Sequence, residues 1–121
     1  MQKLTPAQEE IMHHVWQLDE CTVGDIREAV AKDRGKKPAH STISTLMLAL
    51  LDRGFLNHRE YGRTFVYTPA ITREAYGRRS LSELIRGFFG GSPALAVSHL
   101  VQAEQLNLEE LNELVRQLEE E

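Results

Sequence analysis

Polar side chains suited to reading nucleic acid bases lie close together between residues 40 and 45. They are His40, Ser41, Thr42 and Thr45. Hydroxyl and imidazole groups donate or accept hydrogen bonds at base edges, and a threonine methyl can touch the methyl group of thymine. A hydroxyl near the start of a helix can also cap that helix, and for one of Ser41 and Thr42 we expect a cap rather than a base contact.

A local excess of positive charge surrounds this segment. Residues 32–73 carry eight basic and three acidic side chains, whereas the whole chain has a formal net charge of -4. Because nearby charges set the field at close range, this distribution favours contact with a polyanion, the alternative being a solvated basic surface. Arg53 is equally suited to an ion pair with an acidic neighbour. The side chains expected to contact phosphate groups are Lys36, Lys37, Arg59 and Arg63.

Other kinds of chemistry have no support in the residue pattern. The chain has no nucleophile elbow, phosphate loop or pair of suitably placed carboxylates, so we assign no catalytic residue and no cofactor. His13 and His14 are adjacent and point in different directions on a helix, which is better explained by a solvated helix than by metal ligands. The single cysteine, Cys21, excludes an internal disulfide, and we expect it to be a small buried apolar group. We therefore predict neither an enzyme nor a metal site.

The sequence also lacks the signals of a membrane or secreted protein. No apolar run reaches the roughly 20 residues that a membrane-spanning helix needs. The N-terminal residues do not form the basic and then apolar stretch of a signal peptide. We therefore expect a cytoplasmic protein without membrane insertion.

Three predicted helices place the hydroxyl-rich segment. The first is expected to begin after Thr5, the second near Thr22, and the third around residues 39–41. Apolar residues recur at helical spacing along the third helix and form a stripe that faces the core, with Gly54 just past its end. The stripe consists of Ile43, Leu46, Met47, Leu50 and Leu51.

A β-hairpin is predicted after the third helix, because the apolar period changes from helical to two. The segments F-L-N-H-R-E and T-F-V-Y-T flank Y-G-R, and Pro69 stops the second strand. Arg59 and Arg63 then lie at or near the tip of the hairpin. Three helices followed by a hairpin with a basic tip are the parts of a winged helix-turn-helix domain, which binds DNA.

The remaining residues, 72–121, are predicted to form three short amphipathic helices. They are expected over residues 72–87, after Ser92-Pro93 and after Asn107. Such short helices make a poor core by themselves, so we infer that a second copy covers them in a homodimer. The alternative is a monomer in which they fold back onto the N-terminal domain. The side chains expected in the dimer interface are Leu81, Leu84, Phe88, Leu95, Leu100, Leu111, Val115 and Leu118.

Four motifs spread over the chain carry a family resemblance. They are L-T-P-A-Q-E-E-I-M-H-H-V-W, T-I-S-T-L-M-L-A-L-L-D-R-G-F-L-N-H, G-R-T-F-V-Y-T-P and Q-L-N-L-E-E-L-N-E-L. Together they resemble the penicillinase and methicillin-resistance repressor family. The resemblance implies a dimeric bacterial repressor that binds inverted-repeat operators of β-lactamase or related genes. It also implies that a membrane sensor relieves repression by causing proteolysis of the dimerisation domain.

Two positions depart from the pattern of that family. The family commonly has an arginine or lysine in the third helix where this chain has Ala49. The bond that is cut in well-known members is Asn-Phe, and the matching position here is His99-Leu100. The resemblance therefore places the cleavage site of a sensor-linked protease at His99 and Leu100, with a chemically different bond.

These observations predict a mainly α fold with a small β-hairpin. A winged helix-turn-helix DNA-binding domain, residues 1–71, is expected to precede a helical dimerisation domain, residues 72–121. The predicted function is that of a dimeric repressor whose partner is a double-stranded DNA operator. The alternative is a winged-helix protein-interaction module that never touches DNA, which the acidic net charge and Ala49 would favour.

Overall fold

The computed structural model describes residues 3–120, so residues 1, 2 and 121 of the two predicted domains lie outside the described range. Within it, the chain is mainly helical with one two-stranded antiparallel sheet, as predicted. The elements in chain order are α1 (Pro6–Leu18), α2 (Val23–Arg34), α3 (His40–Asp52), β1 (Leu56–Tyr61), β2 (Thr64–Pro69), α4 (Arg73–Phe88), α5 (Pro93–Gln102) and α6 (Leu108–Glu119).

Reciprocal caps fix the starts of the first two helices. The Thr5 hydroxyl accepts a hydrogen bond from the Gln8 N–H, and the Thr5 N–H donates to the Gln8 side chain. Thr22 and Asp25 form the same capping box at α2. Each box satisfies amide groups that a helix start would otherwise leave without partners. The predicted starts of α1 and α2 are therefore confirmed.

One apolar core holds α1, α2, α3 and the hairpin together. Within residues 3–120, every buried hydrophobic side chain lies between Leu4 and Tyr76. The predicted stripe of α3 supplies three of them, Ile43, Met47 and Leu50. Because one face of α3 is anchored by these contacts, its opposite face is held towards the outside.

The hairpin closes through a two-residue turn and is tied to the helices at one edge. Tyr61 pairs with Thr64, and Gly62 in the turn has a φ of 64°, a conformation that glycine adopts at little cost. Cys21 forms a bridge with Tyr67 through backbone hydrogen bonds of 3.0 and 2.7 Å. The segment between α1 and α2 thus fixes the hairpin to the body of the domain.

The N-terminal unit ends after Gly77 rather than after residue 71. Tyr76, on the first turns of α4, is buried, and its hydroxyl accepts a hydrogen bond of 3.1 Å from the Leu4 N–H. Its ring also packs against those of Trp16 and Phe55, at 5.9 and 6.0 Å between centroids. The first turns of α4 therefore belong to the N-terminal core, which the spacing of apolar residues did not indicate.

The second unit, residues 78–121, contains the rest of α4 together with α5 and α6. Ser92 caps α5, and Asn107 forms a capping box with Glu110 at α6, as the sequence predicted. No side chain between residues 78 and 120 is buried. None of the helices within residues 3–120 has both the length and the apolar character needed to cross a bilayer.

Candidate nucleic-acid interface

The start of α3 presents the hydroxyl-rich segment without using it as a cap. Ala39 is the N-cap residue, and no side chain caps this helix. The expectation that Ser41 or Thr42 caps α3 is therefore wrong, because the helix begins before both hydroxyls and places them within its first turn. The four side chains proposed to read bases, His40, Ser41, Thr42 and Thr45, are all exposed.

Two of the four predicted phosphate contacts lie in ion pairs. Lys37 pairs with Glu28, and Arg59 pairs with Glu20 while its guanidinium lies 5.7 Å from the centroid of the Tyr61 ring. The hydrogen bond from Lys37 lowers the pKa of the Glu28 carboxyl. A carboxylate beside each of these cations offsets part of the positive charge that would attract a phosphate.

The other two candidates are better placed to meet an anion. Arg63 lies in the turn of the hairpin and Lys36 lies in the connection between α2 and α3, and both are exposed. Among residues 3–120, neither forms an ion pair. These two cations are therefore available to an anion.

Arg53 has a structural role. It donates hydrogen bonds to the Gln8 side chain and, over 2.6 Å, to the Lys3 carbonyl oxygen. Its guanidinium also lies 5.4 Å from the centroid of the Phe55 ring. The contacts join the end of α3 to the start of α1, so the side chain stabilises the position of α3.

An open groove of about 370 Å³ runs between α3 and the hairpin. Its walls come from the start of α2, the exposed face of α3 and the first residues of β2, and they include His40 and Arg63. Leu48 and Phe65 also line it, although neither was predicted as a site residue. The sequence contained one signal for Leu48, which follows Ser44 by one helical turn on the outer face of α3.

The two adjacent histidines occupy different environments. His13 is exposed and makes an edge contact with Trp16 at 5.5 Å between ring centroids. His14 is only 8% exposed, and its Nε2 lies 3.2 Å from an Asp33 carboxylate oxygen. The expectation that both lie on a solvated helix is therefore wrong for His14. Within residues 3–120, no three histidine, cysteine or acidic side chains form a group able to hold a metal.

Cys21 is buried, as expected. Its side chain is 1% exposed, and burial raises the pKa of the thiol to about 12, with a smaller contribution from the Asp25 carboxylate. A thiol with so high a pKa carries almost no thiolate near neutral pH and is a poor nucleophile. The contribution of Cys21 is its backbone bridge to β2 and its place in the core.

The predicted dimer interface consists mostly of exposed apolar side chains. Phe88 is 81% exposed and Leu111 is half-buried. His99 and Leu100, the predicted cleavage position, lie in the second half of α5 and are both exposed. The remaining six are exposed as well, namely Leu81, Leu84, Leu95, Leu100, Val115 and Leu118.

Comparisons with known proteins identify similar chains. The sequence profile of a family described as penicillinase repressor matches residues 4–120. A penicillinase repressor of Bacillus licheniformis is 31% identical over 118 residues, which are 98% of this chain and 91% of that protein.

Solved structures of related repressors resemble the N-terminal unit. The DNA-binding domain of the repressor BlaI is 32% identical, with a TM-score of 0.52 over 63% of this chain and 94% of that domain. The monomeric form of Bacillus licheniformis BlaI, solved in complex with the blaP half-operator, is 31% identical over 62% of this chain and 89% of that chain, with a TM-score of 0.50. This likeness confirms the winged helix-turn-helix fold.

Proposed function

This chain belongs to the penicillinase repressor family, and from that membership we propose that it is a dimeric transcriptional repressor that binds an inverted-repeat operator. The family is one of transcriptional repressors, so we assign no catalytic role. The observation that carries the proposal is the start of α3, where four polar side chains are exposed and one of them, His40, lines the same groove as Arg63 of the hairpin. Such a surface offers hydrogen bonds to base edges and positive charge to the phosphates that flank them.

We propose that recognition uses two kinds of contact. Arg63 and Lys36 neutralise phosphates and set the register of the domain on the duplex, while α3 enters the major groove. There, four side chains read bases by hydrogen bonds, and threonine methyls touch thymine. They are His40, Ser41, Thr42 and Thr45. The rigid anchoring of α3 through its buried stripe keeps these short side chains at a constant depth in the groove.

The C-terminal unit supports the proposal of a homodimer. Its helices expose large apolar side chains, of which Phe88, Leu108 and Leu118 are the most exposed. Covering such surfaces with a second copy removes apolar area from water and gives the two-fold symmetry that an inverted repeat requires. One winged-helix unit then occupies each half-site, and the half-sites lie about one or two helical turns apart, near 34–36 Å per turn.

A salt titration tests DNA binding directly. Binding of the wild-type protein to a duplex selected from a randomised library should weaken steeply as salt rises, with a slope of about 0.9 per phosphate contact in a plot of log affinity against log salt. Arg63→Ala should weaken binding to every sequence and reduce that slope by about 0.9. A matched control is Lys32→Ala, because Lys32 lies on the α1–α2 surface with His14 and Leu18 and lines no part of the α3 groove.

One result would contradict the proposed repressor, and another would contradict only the role of Arg63. A protein without sequence preference and without salt-dependent binding would instead be the interaction module considered as the alternative. An unchanged slope for Arg63→Ala would leave the repressor in place but remove Arg63 from its phosphate contacts.

We also propose that proteolysis between His99 and Leu100 relieves repression, as the family resemblance implies. Both residues are exposed, but they lie within α5, so a protease must first unwind this part of the helix. Mass spectrometry of the protein from induced cells should detect a fragment ending at His99. An intact chain in cells where repression has been lifted would exclude this route.

A further inference from the structure

The groove between α3 and the hairpin contains an apolar strip with two large exposed side chains. Leu48, on α3, is 46% exposed, and Phe65, on β2, is 41% exposed. A single exposed leucine is ordinary on a protein surface. Two large apolar side chains that line one groove from opposite walls form a local site for an apolar group.

The helical spacing ties Leu48 to the face of α3 that is proposed to contact DNA. His40, Ser44 and Leu48 are separated by four residues each, so they form one row along the helix. The neighbouring Met47 and Leu50 are fully buried, which fixes the rotation of α3 about its axis. Leu48 therefore points into the groove, one helical turn beyond Ser44.

The hairpin supplies the opposite wall and the charge. The Phe65 ring packs at 5.1 Å against His58 and at 6.4 Å against Tyr67, so its position is set by neighbouring rings. Arg63, two residues before Phe65, lines the same groove. The site thus combines an apolar strip with an adjacent cation, which suits a strand of DNA whose phosphates run beside its bases.

Among the groups that bases display in the major groove, the 5-methyl of thymine is the apolar one, since the others are hydrogen-bond donors and acceptors. We propose that Leu48 contacts the 5-methyl group of one operator thymine in each half-site, with Phe65 closing the groove from the other side. This inference rests on the proposed function and adds a specificity-determining residue to it. A cytosine at that position would present a hydrogen on C5 in place of the methyl group, so the apolar contact with the leucine would be lost.

The test removes the methyl group from DNA and the leucine from the protein. The probe is the duplex that the wild-type protein selects from a randomised library. A series of duplexes is then made in which 2′-deoxyuridine replaces one thymine at a time, at the same position in both half-sites. Burying one methyl group changes affinity by about fourfold, so loss of both methyls at the contacted position should weaken wild-type binding by roughly 15-fold. Leu48→Ala should bind the thymine duplex more weakly than the wild type does. At the contacted position, and at no other, its affinity should not change when deoxyuridine replaces thymine.

Matched variants separate this effect from a general loss of folding. Leu18→Ala removes a leucine of similar exposure, 44%, from the α1–α2 surface and should retain the full response to deoxyuridine. Leu48→Met keeps the apolar volume and should retain most of it. Thermal unfolding of each variant verifies that α3 remains folded.

The inference is overturned if wild-type protein binds every deoxyuridine duplex as tightly as the thymine duplex. It is also overturned if deoxyuridine weakens the binding of Leu48→Ala at every position where it weakens the binding of the wild type. If the wild-type protein selects no sequence from the library, the proposed repressor function and this inference fail together. That result differs from the two above, in which the protein selects an operator but Leu48 does not contact a thymine methyl.

Discussion

The two units of this chain differ in what covers their apolar side chains. In the N-terminal unit, α1, α2, α3 and the hairpin bury Met12, Ile26, Met47 and Leu50 completely. In the C-terminal unit, no side chain among residues 78–120 is buried. A chain segment can position functional side chains by itself only if it buries enough apolar surface to offset its conformational entropy. The N-terminal unit meets this condition within one chain. The C-terminal unit does not, which is why we propose that a second copy covers its apolar side chains.

Separating the two units should give the largest effect. A fragment of residues 1–77 is expected to unfold cooperatively and to remain monomeric, because its core is complete. Its affinity for the full inverted repeat should fall by about 10²–10⁴-fold relative to the intact protein, since the two half-sites are no longer bound by linked domains. Analytical ultracentrifugation and binding titrations measure both. A fragment that dimerises or keeps the full affinity would contradict the assignment of dimerisation to residues 78–121.

Matched leucine truncations should distinguish the two units next. Leu50→Ala should lower the free energy of unfolding by about 2–5 kcal/mol, because it opens a cavity in the N-terminal core. Leu84 is an exposed side chain of α4, so Leu84→Ala should instead weaken dimerisation and leave the unfolding free energy of the N-terminal unit unchanged. Urea unfolding at several protein concentrations separates these results. A concentration-independent loss for Leu84→Ala would place that side chain in a core within one chain.

Raising the pH should affect the N-terminal unit through Cys21. Its pKa is about 12 in the folded protein against an ordinary value of 9.0, so between these values the folded state keeps a proton that the unfolded state has lost. The contribution of Cys21 to the free energy of unfolding is therefore fully present below pH 9. It declines as pH rises above 9, and the loss is about 1 kcal/mol at pH 10. Urea unfolding of the wild type and of Cys21→Ala at pH 8 and pH 10 should show a steeper decline for the wild type. Equal declines would mean that the thiol ionises freely.

The smallest effect is expected at Arg59. Because Arg59 already pairs with Glu20, Arg59→Ala should change the salt slope of DNA binding by less than Arg63→Ala does. Salt titrations of both variants on the same duplex provide the comparison. If the slope changes equally, the Glu20 pair opens when DNA binds and Arg59 is a full phosphate contact.

Local sequence patterns predicted much of the architecture. Cap signals located α1, α2, α5 and α6, because a capping hydroxyl or amide acts within three residues of its partner. The stripe of α3 and the alternation of the strands also depend on spacing alone. The burial of His14 and the Arg59–Glu20 pair could not be predicted in this way, because their partners lie on other elements.

By itself, the sequence determined which segments become helices or strands and which short polar side chains stand at the start of α3, since these depend on contacts between residues near in the chain. Only the tertiary structure decided that Ala39 precedes the helix so that Ser41 and Thr42 remain exposed, and that Tyr76 joins the N-terminal core. It also decided that Leu48 and Phe65 line one groove. These features depend on how separate elements pack, and close packing leaves room for only one such arrangement.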